Sequence, residues 1–99
     1  MWTYLWDLVD EGIEDVLKML RDEVGLTGIS VATSYPSVEH LHPHGTRPTL
    51  FRAEGALYFQ PQRSLFIHTK IEPRPSPWLV ERNPLKTVSN LCEALGMKL

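Results

Sequence analysis

Histidine is the densest source of chemistry in this chain. His40, His42 and His44 recur two residues apart in Glu39-His-Leu-His-Pro-His44. Residues two apart on an extended backbone project to the same side, so three imidazoles at this spacing could converge on one metal ion. Imidazole suits zinc, nickel, copper or iron, and a His-x-His pair at a strand end is a common opening of a hydrolytic metal site. Three features oppose that reading. The cluster starts five residues past Tyr35, Pro43 and Gly45 bend its path, and no second ligand group follows, since His68 stands alone. The expectation is therefore no metal and no other cofactor, with the histidines serving in hydrogen bonding or packing locally. Ligation by His40, His42 and His44 is kept as the rival.

Tyr35 closes the apolar run Gly28-Ile-Ser-Val-Ala-Thr-Ser-Tyr35. Its ring can stack on a sugar and its hydroxyl can meet a substrate oxygen. Trp78 is a second platform of the same kind. Glycoside hydrolysis normally needs two carboxylates, about 5 Å apart for retention or about 6.5–9.5 Å for inversion. Glu39 and Glu72 flank strand-to-loop regions and can reach a site, whereas Glu54 and Glu93 read as structural. No catalytic pair can be assigned. The substrate-contact candidates are Tyr35, His42, His44, Trp78, Glu39 and Glu72.

The elements that must position these residues follow from periodicity. Leu5, Trp6, Val9, Ile13, Val16, Leu17, Leu20 and Val24 recur at helical spacing, which predicts one amphipathic helix over residues 3–24, capped by Gly25. Gly12 weakens its middle by up to about 1 kcal/mol. Residues 28–34 are short and β-branched between Gly28 and Pro36, which predicts a buried strand. Pro36 to Pro48 reads as a long loop. Residues 49–52 and 56–60 read as a hairpin turning at Ala53-Glu-Gly55, and Leu65 to Ile71 as a further extended run. Pro73, Pro75 and Pro77 enforce an extended connector. Asn83-Pro84 starts a helix with Leu85, Val88, Leu91, Cys92 and Leu95 on its buried face and Gly96 at its stop. Met97-Lys-Leu99 then opens a second strand. Helix followed by strand, twice, implies parallel strands with helical crossovers. Two such strands cannot shield both faces of a sheet, so the chain reads as an incomplete domain.

Composition sets wide bounds. Ninety-nine residues with 42% hydrophobic, 22% charged and a net charge of −2 suit at most one small domain. That balance supplies no electrostatic footprint for nucleic acid or an anionic membrane. Cys92 is the sole cysteine, which excludes an intrachain disulfide and fits a reducing cytoplasm. The acidic N-terminus lacks the features of a signal peptide, and no run approaches the roughly 18 apolar residues of a membrane span. A cytoplasmic location is expected, with secretion of a longer parent left open.

Several short motifs carry a resemblance: Gly28 to Tyr35, Leu41-His-Pro-His44, Leu50-Phe51, Glu54-Gly-Ala-Leu-Tyr-Phe59, Pro73 to Pro77, Asn83-Pro-Leu85 and Gly96-Met-Lys98. Across residues 26–99 their order resembles the N-terminal end of bacterial glycoside-hydrolase-like (β/α)8 barrel proteins. The resemblance implies an α/β fold, a partial (β/α) barrel made of a first helix, strand 1, a long loop with a β-hairpin, a crossover helix and the start of strand 2. It implies a carbohydrate or other small molecule as substrate in the full-length parent, and an isolated chain without catalysis. A histidine commonly follows the strand-ending tyrosine in such sequences; here Pro36 stands there, so no role carries over from it. Besides the metal-dependent hydrolase, the other alternative is a non-enzymatic α/β interaction module. It would self-associate through the first helix, whose face includes Trp2, Leu5 and Trp6.

Overall fold

Trp2-Thr3-Tyr4 sets a β-branched residue between two aromatics, a run suited to a pleated surface, and it forms a strand. The structure, a computed structural model, describes residues 1–41, 49–71, 73–79 and 82–99, and of Phe51 and Trp78 the backbone. Trp2–Tyr4 (β1) pairs in parallel with Ser30–Ala32 (β2), with Trp2 opposite Ser30, Thr3 opposite Val31 and Tyr4 opposite Ala32.

Two helices, Leu5–Glu11 (α1) and Ile13–Asp22 (α2), cross between these strands. The single helix expected over residues 3–24 is thus corrected twice. β1 takes its first turn, and Gly12, at φ 93° and ψ 105°, divides the rest. Of the expected stripe, Leu5, Trp6, Leu17 and Leu20 are buried, Val9, Ile13 and Val16 are half-buried and Val24 is exposed, while Leu8 is buried as well. Periodicity therefore reads straight through the break. α2 closes on Gly25 (φ 77°), with the Leu26 N–H donating to the Leu20 carbonyl at 2.9 Å.

The third helix, Pro84–Ala94 (α3), begins as its sequence predicts. The Asn83 side chain accepts from the Lys86 N–H at 3.1 Å, and Pro84 occupies the first turn, where a missing N–H is harmless. Gly96 (φ 68°) ends it and returns the chain to the strands. Lys98 bridges Gly28 in parallel, with the Ile29 N–H donating to Lys98 and the Lys98 N–H donating to Thr27, both at 2.9 Å. The next N–H, of Ser30, donates the other way, to Met1 at 2.7 Å. The segment around Ile29 is therefore central, with β1 on one edge and Lys98 on the other.

Beyond β2 the pairing turns antiparallel. Ser34–Tyr35 (β3) pairs with Ala56–Leu57 (β6), and Val38–Leu41 (β4) pairs with Leu50–Ala53 (β5), Leu41 facing Leu50. Part of the expected loop is thus a strand. The hairpin expected between residues 49–52 and 56–60 does not form, because β5 returns to β4 and β6 returns to β3. β6 also bridges Pro75, which accounts for the extended course of the proline-rich connector. Residues 65–71 are not an extended run packed on the core. They follow a 3-10 turn at Arg63–Leu65 and expose Leu65, Ile67 and Ile71.

The described residues contain no barrel, which corrects the expected partial (β/α) barrel. They form three helices, one short parallel strand pair with its Lys98 bridge, and two antiparallel strand pairs. The physical reason is local. β2 passes almost at once into β3, whose partner is antiparallel, so the hairpin pairs close over the carboxyl ends of the parallel strands instead of prolonging them. Leu5, Leu8, Leu17, Leu20, Ile29, Val88, Cys92 and Met97 form a core between helices and strands, and Trp6, Ala53 and Tyr58 join the hairpins to it. On the other face of the parallel pair, Trp2 is 56% exposed opposite exposed Ser30. No helix among the described residues is long and apolar enough to cross a membrane.

Candidate functional site

Ligands of α/β sheets usually sit outside the carboxyl ends of parallel strands. Here Tyr4 ends β1, and β2 leads within a few residues to Tyr35. Their hydroxyl oxygens lie 2.8 Å apart, tying the parallel layer to the antiparallel one. His40, on β4, faces the same spot.

Five rings fill it. Tyr4 stacks on Trp6 with centroids 4.6 Å apart and planes 10° apart, and Tyr35 meets Tyr4 edge-on at 5.0 Å. The His40 ring lies 4.9 Å from Tyr4 and 5.2 Å from Trp6, and its Nε2 is buried. Tyr58 closes on Trp6 at 5.3 Å and donates its hydroxyl to the Glu54 carbonyl at 3.3 Å. Edge-to-face and offset pairs at such separations add about 0.5–1.5 kcal/mol beyond area burial. The mouth of the sheet is thus filled by the chain's own rings.

The tyrosine pair has one electrostatic consequence. The hydrogen bond shared with Tyr35, then burial, then the charges of Tyr35 and Asp7 push the Tyr4 phenol up to about 12. The Tyr4 phenol is thereby kept protonated, which suits a hydrogen-bonded clasp. Beside the cluster a cleft of about 300 Å³ is lined by Tyr4, Trp6, Asp7, Glu11, Met19 and His40, among others.

The residues singled out from sequence separate in space. Tyr35 and His40 are in the cluster. Glu39, the strand neighbour of His40, points to the opposite face, where its exposed carboxylate pairs with Arg52 at 3.5 Å. His42, His44, Glu72 and the Trp78 side chain lie outside the described residues. Among the described residues no group of three or more His, Cys, Asp or Glu is placed to hold a metal ion. Sequence reasoning missed Tyr4 and Trp6 because both fell inside the expected helix, Trp6 on its apolar stripe. The Trp2-Thr3-Tyr4 run was the available signal.

Fold and site together define a small α/β chain whose parallel-strand mouth is packed with aromatic rings. Comparison with protein-family models, with curated proteins and with solved structures gives no match to it.

Proposed function

We propose that this chain is a non-enzymatic interaction module, acting through an exposed apolar surface and not through chemistry at the mouth of its parallel strands. The observation that carries the proposal is the loop after β6. There Leu65 and Ile71 are each 74% exposed and Ile67 71%, all within seven residues. Single exposed aliphatics are ordinary, but a group of them marks a docking surface. The mouth supports the same reading, since Tyr4 and Tyr35 bond to each other there and Trp6 and His40 pack against them. Sugar contact through Tyr35 would require rings now packed on one another to part.

The test replaces Leu65, Ile67 and Ile71 together by serine. A docking surface predicts an unchanged thermal midpoint and loss of binding to a hydrophobic dye. Loss of fold in the triple variant, or chemical-shift changes at Tyr35 and His40 on titration with saccharides or zinc, would overturn the reading.

A further inference from the structure

The exposed aliphatics do not stand alone. Ile67 and Ile71, together with Phe66, Pro73 and Pro75, border a groove of about 370 Å³ that also includes Arg63 and Lys70. From Gly55 to Pro75 the sequence carries Arg63, Lys70 and Arg74 against the single acid Glu72. No ion pair of Arg63 or Lys70 occurs among the described residues. The groove therefore sets apolar Ile67, Ile71 and prolines beside polar Gln60 and Thr69 and two exposed cations.

The complementary pattern lies on α2. Asp15, Met19 and Glu23 follow at four-residue spacing, so they share one face of the helix, and all three are exposed. Met19 is 38% exposed, and Val24 beside Glu23 is 57% exposed. The nearby charges are already matched, Lys18 to Glu14 at 2.6 Å and Arg21 to Asp22. No ion pair of Asp15 or Glu23 occurs among the described residues. Glu23 also caps the carboxyl end of α2, where the helix dipole disfavours an anion and favours a cation brought from outside. Acid, apolar, acid on α2 thus answers cation, apolar, cation at the groove.

We infer that the groove bordered by Arg63, Ile67, Lys70 and Ile71 receives the Asp15–Met19–Glu23 face of α2 from a second copy of this chain, with Lys70 and Arg63 meeting its carboxylates. The inference rests on the interaction-module reading and names the partner. Because each copy carries both surfaces, association needs no other component. It is held by apolar contact and steered by charge, so salt weakens it.

Sedimentation velocity on the full chain, over a wide concentration range at low and high salt, tests this. The expected result is concentration-dependent association that high salt weakens. Lys70→Glu and Glu23→Lys are each expected to weaken it roughly tenfold or more, because each brings like charges together. Mixing the two variants should restore association, because the groove of Glu23→Lys and the helix face of Lys70→Glu are both unaltered and the reciprocal contact is a charge swap. Lys86→Glu, an exposed cation on α3, should leave it unchanged. A monomer at every concentration in low salt, association indifferent to Lys70→Glu, or failure of the mixture to restore it would each overturn the inference. If the chain is monomeric while the triple serine variant stays folded and loses dye binding, the module reading stands and the second copy is not the partner.

Discussion

At the scale of single residues, the clasp between Tyr4 and Tyr35 makes the sharpest prediction. A phenol whose folded value is about 12, above the unfolded value near 10, favours the fold while it is protonated. Its contribution is complete below about pH 10 and is lost as pH rises towards 12, because the unfolded chain releases that proton first. Absorbance titration of tyrosinate should show one phenol ionising late, and Tyr35→Phe should move it back towards the ordinary value. A late phenol that persists in Tyr35→Phe would show that the hydrogen bond is not the main cause. Cys92 supplies a second residue-scale prediction. It is 1% exposed, and burial raises its thiol pKa, so a thiol reagent should react only on unfolding. Modification at native conditions at the rate of a free thiol would contradict the packing of α3.

At the scale of elements, what could be read from sequence was what is local. The start of α3 was legible because Asn83 and Pro84 act on their own first turn, and Asn83→Ala should cost about 1 kcal/mol in urea unfolding. The stops at Gly25 and Gly96 were legible for the same reason. The strand pairings were not. Ala53-Glu-Gly55 has turn chemistry, yet β5 finds β4 and β6 finds β3, because a register is chosen by partners distant in sequence. Local packing was an expected outcome for His40, but nothing in its neighbours names Trp6 as its contact. Tyr35 was placed correctly at a strand end, while its partner Tyr4 was hidden inside the expected helix. Gly28 tests the long-range pairing directly. A Cβ there would lie 3.0 Å from both the carbonyl oxygen and the Cβ of Lys98, so Gly28→Ala must push the C-terminal residues away. Overpacking of this kind costs about 1–3 kcal/mol. Hydrogen exchange at the Ile29 amide, which donates to Lys98, should quicken in that variant more than exchange within α2. Equal changes at both sites would mean general weakening instead of a lost bridge.

At the scale of the whole molecule, a parallel layer and an antiparallel layer of short strands share few buried side chains, and Trp6 is the largest of them. It is 2% exposed, lies on α1, and meets Tyr35, His40 and Tyr58 from the hairpin layer. Neither layer has the area to be stable alone, since short strand pairs are marginal in water without a shared apolar face. Trp6→Ala should therefore cost about 3–5 kcal/mol, a large part of the about 5–15 kcal/mol typical of a whole domain. Trp6→Phe, which keeps a ring against Tyr4, should cost clearly less. The decisive measurement follows urea unfolding with two probes, far-ultraviolet circular dichroism for the helices and the His40 ring signal for the hairpins. Both midpoints should fall together in Trp6→Ala, because one side chain completes the core of each layer. If the helical midpoint held while the His40 signal moved, the layers would be coupled by the strand β2 alone, and the packed mouth would be a surface feature instead of the joint of the fold.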